Sequence, residues 1–175
     1  MMRFVIFIKY FLEFCIFKII LFLLKLFSKK VSLKIISNSF IYLGKLSKYN
    51  QIAKENCKIV FPYLNEIEVT KIINNSWKNL GFNLFELTYL DKIVKDRNAI
   101  EIKGQDILQK IKIENFPVIF FSIHSSNWEV CVPILDHNDF DIGAIYRHIN
   151  NNFFDRYIYK KKNTISKIKK KFLYS

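Results

Sequence analysis

The sequence contains few of the residues that build tight turns, disulfides and phosphate-binding loops: 4 Gly, 3 Pro and 3 Cys among 175 residues. It has no Gly-rich loop of the kind that binds nucleotide phosphates. Cys15, Cys57 and Cys131 are far apart, odd in number and without a CxxC pair, so they indicate neither a disulfide framework nor a zinc site. We interpret each cysteine as a small packed apolar side chain.

The length and the hydrophobic content exclude two broad classes of protein. A chain of 175 residues suits one domain and is too short for a large multidomain enzyme. Because 51% of its residues are hydrophobic and 18 are Phe, it can bury enough surface to offset the entropy of ordering. A disordered protein is therefore excluded.

Acidic residues are scarce, and their scarcity is concentrated at the two ends of the chain. Against 28 Lys and Arg there are 15 Asp and Glu, a net charge of +13. Residues 1–48 and residues 156–175 each have a net charge of +8, whereas residues 49–155 have a net charge of −3. The 28 Ile and 24 Lys are typical of an A+T-rich genome, so part of the lysine excess is explained without an anionic partner.

The longest apolar segment lies near the N-terminus, at residues 4–27. Its length fits a membrane-spanning helix of about 20 residues, but charges such as Lys9 and Glu13 interrupt it, and each costs roughly 2.5–3.5 kcal/mol at a bilayer centre. Lys9 and Glu13 are four residues apart and can partly neutralise each other on a helix. We predict that residues 1–28 form an uncleaved membrane anchor with its C-terminal end cytoplasmic, or a helix lying in the membrane interface.

The C-terminal residues, 161–175, form a lysine-rich tail. Such a tail can bind anionic lipid at about 1 kcal/mol per basic residue, or nucleic acid through its phosphates. No nucleic-acid fold motif, zinc spacing or phosphate loop accompanies it, so we expect no nucleic-acid partner. A solvated tail is the simplest interpretation.

The region from 29 to 98 is predicted to be helical. Apolar residues over 51–61 have helical spacing, and Pro62 should end that helix. A second helix is expected to begin at Asn65, with acidic residues in its first turn.

The region from 99 to 160 is predicted to be a partial α/β domain. Three segments look like strands, and helical segments separate them. We therefore predict an α/β fold, a layered body with a parallel component, following the N-terminal helical region. The strand candidates are residues 100–104, 117–123 and 141–147.

His124 is the first candidate for chemistry, because it directly follows the apolar segment 117–123. In α/β sheets, sites lie at the carboxyl ends of strands. A histidine there can act as a general base if a carboxylate holds its other ring nitrogen, and Glu129 lies five residues later. On spacing alone the pattern is weak: a lone histidine beside a strand is more often structural, Trp128 more often packs, and Arg147 more often forms a surface ion pair.

The string SIHSSNWEV resembles the histidine–acid motif of the bacterial lipid A biosynthesis acyltransferases. That family's usual string is His-Phe-Gly-Asn-Trp-Glu, and this chain retains His124, Asn127, Trp128 and Glu129, with two serines in place of Phe and Gly. The resemblance extends over about residues 1–160. It includes two further blocks, NCKIVFPYLNEIEVTKIINNSWKNLGFNLFEL and IYRHINNNFFDRYI.

The resemblance implies an enzyme that transfers a fatty acyl chain from acyl carrier protein to a hydroxyl of a lipid A precursor. The reaction would take place at the cytoplasmic face of the inner membrane and would need no metal or redox cofactor. His124 would deprotonate the hydroxyl, Glu129 would hold the imidazole, and Arg147, Asn127 and Trp128 would bind substrate. The basic surface suits an anionic glycolipid and an acidic carrier protein.

The resemblance also raises a question of length. Family members extend well beyond this point, and nothing after about Lys162 resembles them, so we expect a truncated member of the family. Two alternatives follow: an inactive membrane-associated fragment of a split or decayed gene, and a glycerophospholipid acyltransferase. The wider superfamily of the latter shares the His-x4-acid spacing, but the Asn-Trp between His124 and Glu129 favours the lipid A branch.

Overall fold

The computed structural model describes residues 2–96, 100–115, 117–165 and 172–174, which are mostly helical. Two short 3-10 turns precede α5 and α7. The helices are α1 (Met2–Leu24), α2 (Lys29–Leu46), α3 (Lys48–Val60), α4 (Glu66–Glu86), α5 (Leu90–Lys95), α6 (Gln105–Glu114), α7 (Cys131–His137) and α8 (Asn152–Ile165), and the strands are β1 (Ala144–Tyr146) and β2 (Phe172–Tyr174).

The chain divides into two compact units, which are described separately. The first, Lys18–Glu86, contains α2, α3 and α4 together with the end of α1. The second consists of Met1–Phe17 and Leu87–Ser175. The residues of the predicted site all belong to the second unit.

The helices of the first unit begin and end at signals that are visible in the sequence. α3 ends at Val60, two residues before Pro62, as predicted. The side-chain oxygen of Asn65 accepts hydrogen bonds from the amides of Ile67 and Glu68, each 3.0 Å long. The Glu68 carboxylate accepts in return from the Asn65 amide at 2.9 Å, so the two residues form a capping box at the start of α4.

One buried cluster of the first unit lies between α3 and α4. Cys57, Val69 and Ile73 are buried there, and Ala53, Leu64 and Trp77 pack against them. The prediction that Cys57 is a packed apolar side chain is thus confirmed.

The second unit has two packed regions. Leu87, Leu90 and Val94 form a small buried cluster, with Val130 and Ile158 packed on it. Aromatic rings of α8 also pack on aromatic rings of α1, with centroids 4.8–6.0 Å apart. These rings, which we call the α1–α8 aromatic cluster, are Phe7, Phe11, Phe14 and Phe17 of α1 and Phe153, Phe154 and Tyr157 of α8.

Asn151 connects the same two helices through hydrogen bonds. Its side-chain nitrogen donates to the carbonyl oxygen of Tyr10 at 3.0 Å and to the carboxylate of Glu13 at 3.1 Å. Its side-chain oxygen accepts from the amide of Phe153 at 3.0 Å and so caps the start of α8. Since Asn151 is only 6% exposed, both ends of its amide are satisfied in a buried position.

The predicted α/β layered fold is wrong. Residues 100–104 and 117–123, all described, contain no strand, and the second segment leaves Ile119 90% and Phe121 93% exposed. Only the third candidate contains a strand, β1, and it pairs in parallel with β2 over three residues each. An apolar segment becomes a buried strand only when neighbouring strands accept its hydrogen bonds, and here helices pack on one another instead.

The predicted membrane-spanning anchor is also not supported. Residues 2–24 do form a helix, but among the described helices none is both long enough and apolar enough to cross a bilayer. The physical reason lies in the charges, because any 18-residue stretch of α1 includes Lys9, Glu13 and Lys18.

Gly44 of α2 lies directly against the indole ring of Trp77 in α4. A Cβ atom added at position 44 would clash with Cδ2 of that ring. The ring is not free to move aside, because its Nε1 donates a 3.0 Å hydrogen bond to the side chain of Asn50.

We expect Gly44→Ala to lower the free energy of unfolding by about 1–3 kcal/mol, because the added methyl overpacks the contact with Trp77. This outweighs the better helix propensity of alanine. Urea unfolding followed by circular dichroism measures the change. Leu43→Ala, which removes a side chain that is 59% exposed on the same helix, is the control and should change stability by less than about 0.5 kcal/mol. Equal or greater stability of Gly44→Ala would contradict the prediction.

Candidate functional site

The residues of the histidine–acid motif lie on an irregular segment that leads into a 3-10 turn, Trp128–Val130, and then into α7. Within it the amide of Ser125 donates a 2.8 Å hydrogen bond to the carbonyl oxygen of Ile123. The next residue, Ser126, has φ = 50°, in the left-handed region that favours glycine. The family motif commonly has glycine at this position, where this chain has serine. The left-handed backbone conformation explains the preference for glycine, since glycine adopts it without steric cost.

The ring of His124 is exposed and packs against the indole of Trp128. The two ring centroids are 4.8 Å apart, with an angle of 62° between the planes. Trp128 is half-buried, and the side-chain oxygen of the preceding Asn127 is buried. The structure therefore places these three motif residues together, with Trp128 limiting the orientations that the imidazole can adopt.

The carboxylate of Glu129 pairs with Lys162 of α8. Its Oε2 lies 2.7 Å from the lysine Nζ, and the two side chains are only 20% and 24% exposed. Within the described residues, no hydrogen bond joins Glu129 to His124. Because both side chains are mostly buried, each charged form is stabilised by its partner, and an unpaired carboxylate at this position would be costly.

Lys162 is a member of the site that the sequence did not reveal. It lies 33 positions after Glu129, at the point where the resemblance ended, inside a run of lysines that looked like a tail. No spacing rule connects a carboxylate on a 3-10 turn with one lysine among several. Only the packing of α8 identifies Lys162 as the partner.

Arg147 follows β1 and is exposed, on a loop that is tied to α8. The carboxylate of Asp155 receives a 2.9 Å hydrogen bond from the amide of Ile149 and lies 2.7 Å from Nδ1 of His148. Asp155 is 13% exposed and His148 is 54% exposed. The loop that presents Arg147 is thus held at two consecutive residues. The sequence pointed to Asp155 as part of a family block but did not predict its pairing with His148.

The predicted residues therefore form three separate arrangements: the ring pair of His124 with Trp128, the ion pair of Glu129 with Lys162, and exposed Arg147. Such an arrangement offers an accessible imidazole, a carboxylate five residues away in sequence and a guanidinium for an anionic group. Across the described ranges, no three His, Cys, Asp or Glu side chains come together as a metal site.

The left-handed conformation of Ser126 leads to a prediction on stability. Replacing Ser126 by alanine and by glycine removes the same hydroxyl, so the two variants differ in the Cβ atom and the backbone freedom. We expect Ser126→Gly to be more stable than Ser126→Ala by about 1 kcal/mol in thermal or urea unfolding.

The adjacent Ser125, whose φ is not positive, is the control for that comparison. There the order should reverse, with alanine more stable than glycine, because glycine loses more entropy on folding. Finding alanine more stable at both positions would rule out backbone strain at Ser126.

The ion pair of Glu129 with Lys162 can be measured by a double-mutant cycle. Because both side chains are largely buried, we expect Glu129→Gln and Lys162→Met to couple by about 0.5–3 kcal/mol in the free energy of unfolding. The exposed pair Lys110–Glu114 of α6, whose nitrogen and oxygen are 3.9 Å apart, is the control and should couple by about 0.3–0.5 kcal/mol. Equal coupling in the two cycles would contradict a specific role for Lys162.

Comparison with known proteins agrees with the resemblance seen in the motifs. The family model of the bacterial lipid A biosynthesis acyltransferases matches residues 4–168. No curated protein and no solved structure was found to match the chain. Because the matched residues cover nearly the whole sequence, the chain belongs to the bacterial lipid A biosynthesis acyltransferase family.

Proposed function

We propose that this chain transfers a fatty acyl chain from acyl carrier protein to a hydroxyl of a lipid A precursor, at the cytoplasmic face of the inner membrane. The observation that supports this most is the family match over residues 4–168. The retention of the histidine and the glutamate of the motif, at His124 and Glu129, adds the chemical groups that the transfer needs.

In the proposed reaction His124 acts as general base. Its ring accepts the proton of the acceptor hydroxyl while the hydroxyl oxygen attacks the thioester carbonyl. A new C–O ester bond forms, the C–S bond breaks, and the proton passes from the imidazolium to the departing thiolate. The exposure of His124 suits this role, because both a lipid and a carrier protein must reach the ring.

Glu129 is proposed to orient His124 and to stabilise the imidazolium as it forms. In the structure its carboxylate is held by Lys162 instead. A positive charge developing on His124 would compete with Lys162 for that carboxylate, since opposite charges attract. We therefore propose that Lys162 holds the Glu129 carboxylate beside the 3-10 turn before the reaction. The carboxylate then rotates toward His124 during the reaction.

The remaining predicted residues are proposed to position substrate. Arg147 is exposed and can hold a phosphate of the acceptor through its guanidinium fork. Trp128 acts through its contact with His124, and Asn127 directly precedes the turn that begins at Trp128. The basic ends of the chain would speed its encounter with the acidic carrier protein and with an anionic glycolipid at the membrane surface.

The proposal is tested with purified chain, acyl carrier protein bearing a radiolabelled acyl group, and a lipid A precursor. We expect His124→Ala to lower kcat/KM by about 10²- to 10⁴-fold, which is the usual contribution of a general base. His137→Ala, which removes an exposed histidine from the last turn of α7, should leave kcat/KM unchanged. Glu129→Gln should also lower kcat, and Glu101→Gln, at an exposed carboxylate, is its control.

The same assay tests the specificity for the acyl donor and for the acyl acceptor. Acyl-coenzyme A in place of the carrier protein should give slower transfer, and a lysophospholipid in place of the lipid A precursor should give none. Faster transfer to the lysophospholipid would favour the glycerophospholipid acyltransferase alternative. Turnover by the natural sequence no higher than that of His124→Ala would favour the inactive fragment.

A further inference from the structure

A pocket of about 260 Å³ opens between the start of α1 and the start of α8, within the second unit. Its lining is mainly apolar and includes Ile6, Phe7 and Phe153. Two arginines, Arg3 and Arg156, also line it. We call it the arginine pocket.

The two arginines are unusual in this chain, which contains 24 Lys and 4 Arg. Half of the arginines thus line one small pocket. In the described part of the chain no carboxylate pairs with either guanidinium, so two positive charges lie unneutralised beside an apolar surface. Guanidinium forks bind phosphate bidentately, which the point charge of lysine cannot do.

The walls of the pocket are held in place before any ligand arrives. Phe153 contacts the rings of Phe7 and Phe11, with centroids 5.4 and 5.5 Å away. Asn151 hydrogen-bonds to the carbonyl oxygen of Tyr10 on the same stretch of α1. A ligand would therefore spend little of its binding energy on ordering the protein.

The surface next to the pocket indicates what kind of ligand it accommodates. Ile6 and Phe7, which line the pocket, and Phe11, one turn further along α1, are 42%, 56% and 46% exposed, so an apolar surface adjoins the two charges. A soluble phosphate would leave this surface in water. An amphiphile with an anionic head and acyl chains would cover it, and exposed apolar surface of this size marks an interaction site.

We propose that the arginine pocket binds the phosphate head of an anionic membrane phospholipid, with its acyl chains lying along the exposed face of α1. Arg3 and Arg156 bind the phosphate through their guanidinium groups, and the apolar lining of the pocket contacts the glycerol end of the acyl chains. The helix then lies against the bilayer surface. This site is independent of acyl transfer, since it involves none of the residues proposed for the reaction.

Binding is measured by titration calorimetry with the full chain and a soluble short-chain phosphatidylglycerol, below the concentration at which the lipid forms micelles. We expect it to bind about tenfold more tightly than short-chain phosphatidylcholine or inorganic phosphate, since only it combines net negative charge with acyl chains. Arg3→Gln with Arg156→Gln should weaken this binding about tenfold. Both side chains are exposed, so the folded state should be retained, which a thermal melt checks.

Two matched double variants test whether the arginines act specifically. Lys71→Gln with Lys103→Gln removes the same charge from two exposed positions outside the pocket, and should weaken binding by less than about twofold. Arg3→Lys with Arg156→Lys keeps the charge and removes the forks, and should weaken binding by at least about threefold. Three results would each overturn the proposal. The first is equal weakening of binding by the two double glutamine variants, and the second is unchanged affinity in the Arg3→Lys, Arg156→Lys variant. The third is binding of inorganic phosphate as tight as that of phosphatidylglycerol.

Co-sedimentation with vesicles tests whether this site also binds phospholipid in a bilayer. Vesicles containing phosphatidylglycerol should co-sediment the natural sequence and less of the Arg3→Gln, Arg156→Gln variant, whereas pure phosphatidylcholine vesicles should co-sediment neither. Because no turnover is measured, failure here leaves the acyltransferase proposal standing, and the acyl transfer assay does not decide this one.

Discussion

The side chain of Asn151 joins the start of α8 to the middle of α1, across 138 positions of sequence in its contact with Glu13. One buried amide satisfies a carbonyl and a carboxylate on α1 and caps the helix that follows it. Leaving such a group without partners costs about 1–3 kcal/mol. The aromatic rings of α1 and α8 pack at the same junction, so the hydrogen bonds and the apolar packing hold the two helices together.

The position of α8 in turn determines what its side chains reach. Its first turns place Arg156 beside Arg3 at the arginine pocket, and its last turn places Lys162 against Glu129. Asp155, on the same helix, holds the loop that presents Arg147. A single helix therefore organises the proposed lipid contact, the partner of the proposed orienting carboxylate and the proposed anion-binding arginine.

The motif segment shows how chemistry and backbone geometry are linked. Family membership explains why His124 and Glu129 occur in this string, and the left-handed φ of Ser126 explains why glycine is usual beside them. The exposed histidine and the lysine-bound carboxylate describe a state in which the base and its proposed orienter are not yet joined. In the proposed reaction the carboxylate of Glu129 exchanges Lys162 for His124 as its partner.

The sequence alone determined the family, through ordered motifs that include His124 and Glu129. It also located two helix boundaries, the end of α3 before Pro62 and the start of α4 at Asn65. Those helix signals succeed because they act within one turn of backbone. The same reasoning was wrong for residues 117–123, because a strand exists only if another segment supplies its hydrogen-bond partners. The spanning alternative for the N-terminal apolar segment is likewise not supported, because no described helix is both long and apolar enough to cross a bilayer. The tertiary structure alone decided that Lys162 pairs with Glu129 and that Arg3 and Arg156 line one pocket. Contacts between distant residues depend on how whole helices pack, and they leave no periodic pattern in the chain.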